Sequence, residues 1–172
     1  MNPDAHLRGR LNKQAGQTAE NIVEIQLRGM GIEVEQIETG WRVMRRPRAD
    51  GNGTQIVGAT PMAKVLGDLF GVQQPSGRAI LVESKHDDGD RLSLSELKDH
   101  QRSNLLRWHR AGALCFVAWV RFEPVVEVCF IHFPSVTDEW RKGSPLPIER
   151  ARQLDRASRA ALTNAPPPGP RT

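Results

Sequence analysis

The sequence predicts one mixed α/β domain built on a central β-sheet, and three observations support this fold class. The chain has 172 residues, which is the length of one ordinary domain with a hydrophobic core of its own. Residues 114–122 are apolar almost throughout, as expected of a central strand that is buried on both faces. Segments of helical period precede and follow the strand segments, so the order is helix, strands, helix, two strands, helix.

The first helix is predicted over residues 13–29, because Ala19, Ile22 and Val23 recur near helical spacing and glycines bracket its end. Residues 1–12 have no period and are expected to form a flexible basic arm.

Short strands and a loop are predicted to follow the first helix. Residues 32–37 alternate in polarity, and residues 41–44 resemble a second short strand. Residues 49–61 are rich in Gly, Asn and Thr and are predicted to form a long loop.

A β-hairpin is predicted from residues 67–72 and 78–85. Its turn would be Gln74-Pro75-Ser76-Gly77, with Pro and Gly where a type I turn prefers them.

Two further helices and a strand complete the prediction. Ser93 and Glu96 have the spacing of a capping box, which predicts a helix over 93–110. A strand is expected within 125–133, and a last helix over 148–162. We expect the apolar side of that last helix to consist of Ile148, Ala151, Leu154 and Ala161.

Composition and charge exclude several classes of protein. No apolar run is long enough for a transmembrane helix. Cys115 and Cys129 lie in apolar runs and no apolar leader opens the chain, which favours a reduced intracellular compartment. The net charge of +4 is uneven: residues up to Trp140 carry 18 acidic and 17 basic side chains, and those beyond carry two acidic and seven basic. The surplus therefore belongs to the C-terminal end.

The hairpin places two carboxylates opposite each other. If Gln74 and Gly77 close the turn, Asp68 faces Glu83 with the Cβ atoms roughly 5 Å apart. Strand periodicity puts Lys85 on the same face as Glu83 and turns Ser84 to the other face.

A divalent metal ion would compensate the charge of such a pair. Opposed carboxylates repel each other, and Mg²⁺ takes oxygen ligands from one or two carboxylates together with water and phosphate. In the competing interpretation, Asp68 is a turn residue, and Glu83 and Lys85 form a surface cross-strand motif. The functional interpretation is favoured because the preceding run Ile80-Leu-Val is apolar, and charges at the end of a buried strand are costly.

These residues lead to a family resemblance. The family motifs occur here in the order of the PD-(D/E)XK nuclease superfamily: Gly67-Asp68, Glu83-Ser84-Lys85, His100-Gln101 and the run Gly112-Ala-Leu-Cys-Phe-Val. Over about residues 13–133 the chain most closely resembles the RecU-type Holliday junction resolvases, including a helix of the form Gly16-x-x-x-Glu20. The resemblance implies a restriction-endonuclease-like core, a central mixed β-sheet flanked by helices.

Carried over by position, the resemblance implies a role for each site residue. Asp68 and Glu83 would bind Mg²⁺ or Mn²⁺, and Lys85 would be the catalytic lysine. Glu20 would complete the acidic site, with Glu24 as the competing candidate one turn later. Gln101 would lie near the metal ion or the scissile phosphate.

The implied activity is metal-dependent cleavage of branched DNA by a cytoplasmic, bacterial or phage-encoded homodimer. Two alternatives stay open: a nuclease acting on flaps, ends or duplex DNA, and a non-catalytic DNA-binding module. The domain boundaries expected are a basic arm at 1–12, the nuclease domain at 13–140, a basic helix at 141–163 and a disordered tail at 164–172. The residues expected to contact DNA are Lys13, Arg42, Arg45, Arg46, Arg48, His100 and Arg102. For the four arginines of 42–48, the alternative is that they lie on a solvent-exposed edge strand and do not contact phosphate.

Two features depart from the family. Gly67 stands where the superfamily has the proline of its name. Residues 45–64 occupy the place of the projection that enters the junction, but they look short and rich in glycine.

Overall fold

The computed structural model describes residues 3–37, 41–47, 54–61, 67–141 and 144–163, and of 3–10, 41–47, 54–61, 94, 140 and 141 it describes the backbone alone. In chain order the elements are α1 (Pro3–Gly29), β1 (Ile32–Gln36), β2 (Trp41–Pro47), β3 (Thr54–Pro61), β4 (Leu69–Gln73), β5 (Arg78–His86), β6 (Arg91–Leu92), a 3-10 turn (Leu94–Glu96), α2 (Asp99–Arg110), β7 (Leu114–Arg121), β8 (Glu127–His132), α3 (Phe133–Arg141), β9 (Leu146–Pro147) and α4 (Ile148–Thr163).

A five-stranded mixed sheet forms the centre of the domain, which confirms the predicted fold class. Its order is β1-β4-β5-β7-β8, with β5 and β7 parallel and the other neighbours antiparallel. All eight residues of β7 are buried, as its apolar sequence predicted. The β2–β3 hairpin and the β6–β9 pair are separate two-stranded sheets.

Helices cover both faces of the sheet. On one face, Ala19 and Val23 of α1 pack with Ile80 and Val82 of β5. On the other face, Leu105 of α2 and Val136 of α3 pack in a cluster that contains Leu81. Successive residues of β5 therefore contact opposite layers, so Glu83 and Lys85 face α2.

The last helix, α4, follows the open edge of β8. Oδ1 of Asp155 accepts a hydrogen bond from the amide of Phe130 at 2.7 Å, and Oγ of Ser158 accepts one from the amide of His132 at 2.9 Å. Side chains of α4 therefore satisfy amides that a further strand would otherwise bond.

The N-terminal arm and the long loop were wrong predictions. Helix α1 begins at Pro3, ten residues before the expected start. Proline suits the first turn of a helix, but residues 3–12 show no apolar stripe, and the prediction had relied on such a stripe. Residues 54–61 form β3 and pair with β2, which itself extends to Pro47. Glycine is unfavourable in strands, so the glycines of this segment favoured a loop, although Ile56 and Val57 are typical strand residues.

The second helix begins later than predicted and has a different cap. Leu92 pairs with Leu146 and Leu97 is buried, so the segment between them packs as a 3-10 turn rather than an α-helix. The helix is capped at Lys98, whose amide donates to Oε1 of Gln101, and not by a capping box of Ser93 and Glu96.

The C-terminal part holds two further differences. Strand β8 ends at His132, and helix α3, which was not predicted, begins at Phe133. Pro134 suits the first turn of a helix, and Val136 is buried. In α4, Ala161 is exposed, whereas Ser158 and Leu162 are buried. The expected tail at 164–172 lies outside the described residues.

Candidate active site

The β4–β5 register places Asp68 opposite Glu83, as predicted. Leu69 pairs with Val82 and Gln73 with Arg78, so the next position beyond the ladder joins residues 68 and 83. The turn differs in detail, because the amide of Gly77 donates to the carbonyl of Gln73 rather than to that of Gln74. The pairing is the same for both turns, which is why the prediction of the register held.

Asp68 is fixed by its own backbone and by the neighbouring strand. Its amide donates to the carbonyl of Val82 at 3.0 Å, and its carbonyl accepts from the amide of Ile37 at 2.8 Å. Oδ2 of its carboxylate accepts a hydrogen bond from the amide of Ser84 at 2.9 Å. The side chain is buried against β5 with its carboxylate beside the Glu83-Ser84-Lys85 segment.

Gly67 explains the departure from the superfamily's proline. A Cβ at this position would lie 2.6 Å from the carbonyl oxygen of Val82, which is backbone and cannot move away cheaply. The close approach of the chain to β5 therefore requires glycine before Asp68.

Glu83, Lys85 and Gln101 form one hydrogen-bonded group. Nζ of Lys85 donates to Oε1 of Glu83 at 3.1 Å and to Oε1 of Gln101 at 3.2 Å. Nε2 of Gln101 donates to the same Glu83 oxygen. The Gln101 oxygen also accepts from the amide of Lys98 at 3.0 Å, so the helix cap orients the amide side chain that bridges the site.

Glu83 is buried beside a second carboxylate, and both conditions disfavour its ionised form. Glu83 is 2% exposed, and burial, followed by the charge of Asp68, raises its pKa to about 8, although Lys85 opposes the shift. At neutral pH this arrangement favours either a proton or a cation between the two side chains. The carboxylate oxygens of Asp68 and Glu83 fit a hard divalent ion, and water would fill the remaining coordination positions of that ion.

The helix carboxylate stays a prediction. Glu24 binds Arg28 at 2.8 Å and accepts from Nε2 of Gln36 at 2.8 Å, so it ties α1 to the end of β1. Glu20 is partly buried on α1. Across the described ranges, no group of three His, Cys, Asp or Glu side chains is placed to hold one metal ion.

The residues expected to contact DNA lie at several places on the domain. Lys13 and His100 are exposed, and Arg102 forms an ion pair with Asp99. The side chains of Arg42, Arg45 and Arg46, and all of Arg48, lie outside the described residues. Their contacts with DNA stay predictions.

His86 was not predicted as a site residue. It directly follows Lys85, and its Nε2 lies 3.2 Å from Oδ2 of Asp88. The sequence feature that could have identified it is its position at the end of the strand that carries Glu83 and Lys85.

In the described part of the chain, no helix is both long and apolar enough to cross a bilayer.

Comparisons with known proteins give a structural neighbour and a family. No curated protein matches the chain. The structure of Hjc from Archaeoglobus fulgidus, described as a Holliday junction resolvase from an archaeal hyperthermophile, is 16% identical with a TM-score of 0.47, covering 79% of this chain and 99% of that one. The family Recombination protein U matches residues 24–151, a stretch that contains Asp68, Glu83, Lys85 and Gln101 and begins after Glu20. The chain therefore belongs to the RecU family, as its sequence resemblance implied.

Proposed function

We propose that this protein is a Holliday junction resolvase, an endonuclease that hydrolyses phosphodiester bonds in paired strands of branched DNA with the help of Mg²⁺ or Mn²⁺. The observation that carries the proposal is the buried pair of Asp68 and Glu83 with Lys85 hydrogen-bonded to it. Membership of the RecU family supplies the substrate class.

Asp68 and Glu83 would hold the metal ion. When bound, the ion would supply Lewis-acid assistance and a lowered pKa for an attacking water. Binding of the ion would also displace the proton that burial and Asp68 favour on Glu83. The amide of Ser84 keeps Oδ2 of Asp68 in place and so limits the rearrangement on binding.

Lys85 would stabilise charge on the phosphate during hydrolysis. Its ammonium group is held by Glu83 and by Gln101, both of which accept from Nζ. A cation positioned before the reaction stabilises the developing negative charge without further reorganisation. Gln101 would act as a positioning residue, since it contacts both Glu83 and Lys85.

Symmetric cutting requires two sites. A homodimer would place one site against each of two opposed strands of a four-way junction. Lys13, His100 and Arg102 would contribute phosphate contacts on each subunit, together with the arginines of 42–48.

A panel of labelled DNA tests the proposal. Four-way junctions, flaps and linear duplex of the same sequence are incubated with the protein and Mg²⁺ or Mn²⁺. We expect paired nicks in the junction and little cleavage of the other substrates. Faster cleavage of flaps or duplex would assign a different substrate, and junction binding without cleavage in either metal would indicate a non-catalytic module.

A further inference from the structure

Gln36, the last residue of β1, is hydrogen-bonded to three residues of α1. Its Oε1 accepts from Nε2 of Gln17 at 2.8 Å, and its Nε2 donates to Oδ1 of Asn21 at 2.7 Å and to Oε2 of Glu24 at 2.8 Å. Both protons of the amide group and one of its acceptor positions are therefore used. These four residues, which we call the Gln36 clamp, join two turns of α1 to one side chain of the neighbouring strand.

The strand end that carries Gln36 is also bonded to Asp68. Gln36 pairs with Leu69 across the β1–β4 ladder, and the amide of the next residue, Ile37, donates to the carbonyl of Asp68 at 2.8 Å. The clamp and the contact with Asp68 thus lie on two consecutive residues of the chain. A change in how Gln36 holds α1 therefore changes the position of the helix relative to Asp68.

Glu20 lies on the part of α1 that the clamp holds. Gly16, one helical turn before it, borders a recess at the end of β5 that Ser84 and Lys85 also line. Residues four apart lie on the same face of a helix, so Glu20 is on the side of α1 that faces this strand end. Clamp residues stand on both sides of Glu20 in the sequence. The clamp therefore fixes the segment that carries this carboxylate.

Hydrogen bonds place this segment more exactly than its apolar contacts do. Ala19 and Val23, the buried apolar residues on either side of Glu20, belong to the cluster between α1 and the sheet. Apolar contacts are non-directional, whereas hydrogen bonds require a defined distance and angle. Gln17 and Asn21 are exposed, so water can replace their bonds at little net cost in stability. The clamp therefore contributes more to the geometry than to the stability of the fold.

The placement of Glu20 matters for a metal ion at the catalytic pair. Asp68 and Glu83 supply two carboxylates, and across the described ranges no group of three His, Cys, Asp or Glu side chains is placed to hold one ion. Mg²⁺ keeps several of its waters, so a carboxylate outside direct coordination can still accept a hydrogen bond from such a water. Loss of outer partners of this kind typically lowers metal affinity or activity about 10- to 100-fold.

We infer that Gln36 is a positioning residue of the nuclease site: the Gln36 clamp holds α1 so that Glu20 strengthens the binding of a divalent metal ion by Asp68 and Glu83. The inference rests on the proposed nuclease function and on Glu20 as the helix carboxylate. It assigns Glu24 to the clamp and not to the ion.

Gln36→Met is the first test, because methionine keeps the length of the side chain and removes its hydrogen bonds. Electron paramagnetic resonance of free Mn²⁺ measures binding of the ion to the protein without DNA, and cleavage of a four-way junction is followed against the Mg²⁺ concentration. We expect the Mn²⁺ affinity to fall about tenfold and the Mg²⁺ concentration for half-maximal cleavage to rise by a similar factor. The rate at saturating Mg²⁺ should fall less than about threefold.

Arg28→Ala is the matched control, because it removes a different bond between α1 and β1. Arg28 donates to the carbonyl of Val34 at 3.0 Å, at a point of β1 farther from Asp68. We expect a melting temperature lowered to a similar extent and a Mn²⁺ affinity within about twofold of the wild type. Wild-type Mn²⁺ affinity and Mg²⁺ dependence in Gln36→Met would overturn the inference, and so would an equal loss of affinity in Arg28→Ala.

Exchanging the charges of two clamp residues is the second test. Gln36→Glu brings a second carboxylate against Glu24 and should weaken Mn²⁺ binding as Gln36→Met does. Adding Glu24→Gln supplies an amide donor for the new carboxylate and restores the net charge, so the double variant should regain a Mn²⁺ affinity within about threefold of the wild type. A double variant that stays as weak as Gln36→Glu would contradict the inference, as expected if Glu24 itself ligates the ion.

The wild type separates failure of this inference from failure of the proposed function. If the wild type binds no Mn²⁺ and cuts no junction, the proposed nuclease function fails. If the wild type does both and Gln36→Met behaves like it, the nuclease function stands and only the role of Gln36 is rejected.

Discussion

The amide of Ser84 donates a hydrogen bond to Oδ2 of Asp68 at 2.9 Å, so the strand that carries Glu83 and Lys85 also fixes the opposing carboxylate. Asp68 belongs to the segment before β4, yet its carboxylate is oriented by β5. The geometry of the pair thus depends on the β4–β5 register and on the close approach of Gly67 to Val82.

The stability of the metal-free protein should fall as the pH rises. The pKa of Glu83 is raised from 4.5 to about 8 by burial and by Asp68, so the folded state binds its proton more tightly than the unfolded state. The resulting stabilisation is complete below pH 4.5 and is lost as the pH rises through about 8. Urea unfolding in EDTA between pH 5 and 9 measures it, and we expect a contribution of a few kcal/mol at most.

Glu83→Gln is the matched variant for the pH experiment. It should remove this component of the pH dependence, and the stabilisation by Mg²⁺ that in the wild type increases with pH should disappear with it. An identical pH dependence in both proteins would show that Glu83 does not titrate in this range.

Gln101→Ala should affect the site and the helix together. It removes the acceptor of Lys98 and the bridge between Lys85 and Glu83, so the free energy of unfolding should fall by about 1 kcal/mol and cleavage by about tenfold. Ser103→Ala on an exposed position of α2 is the control and should change neither. A positioning role also predicts a shifted pH–rate profile for Gln101→Ala; a profile that keeps its wild-type shape would limit Gln101 to capping the helix.

Gly67→Ala should displace Asp68. The new Cβ would approach the carbonyl of Val82 to 2.6 Å, and relief of this contact must move the segment that holds the carboxylate. We expect a loss of about 1–3 kcal/mol in stability and a larger loss of cleavage than the unfolding accounts for. Gly29→Ala adds a Cβ without such a contact and serves as control. Wild-type cleavage by Gly67→Ala would show that the approach of Gly67 is not required.

Asp155→Ala should weaken the edge of the sheet. The change leaves the amide of Phe130 without its acceptor and removes the carboxylate partner of Arg159, which Asp155 contacts at 2.8 Å. The expected loss is about 2–3 kcal/mol by urea unfolding, whereas Arg156→Ala on an exposed position of the same helix should cost less than about 0.5 kcal/mol. Equal stability of both variants would contradict the role assigned to α4.

The basic C-terminal end has a structural role that its charge did not reveal. Ile148 and Ala151 are buried, so α4 belongs to the core. Part of its positive charge is also used within the fold. Three of its arginines form ion pairs: Arg150 with Glu139, Arg152 with Glu127, and Arg159 with Asp155.

The sequence predicted the centre of the fold well because local chemistry determines it. The turn after β4 and the two-residue period of β5 were enough to place Asp68 opposite Glu83. The apolar sequence of β7 identified a strand buried on both faces. Each of these features depends on residues close together in the chain.

The parts that were not predicted depend on distant contacts. The 3-10 turn before α2 forms because Leu92 pairs with Leu146, which lies 54 residues later in the chain. Helix α3 likewise depends on packing against other elements, since Phe133 and Val136 belong to the hydrophobic cluster on that face of the sheet. The choice between Glu20 and Glu24 as the helix carboxylate stays open, because it depends on how α1 lies across the sheet.

Cleavage of a labelled four-way junction by the wild type and by Asp68→Asn tests the central claim most directly. Asparagine keeps an oxygen acceptor for the amide of Ser84, so the variant should fold and bind the junction in EDTA like the wild type. With Mg²⁺ present, the wild type should nick paired strands, and Asp68→Asn should be at least about 100-fold slower. Equal cleavage rates for the two proteins would contradict the assignment of Asp68 and Glu83 as the catalytic metal site.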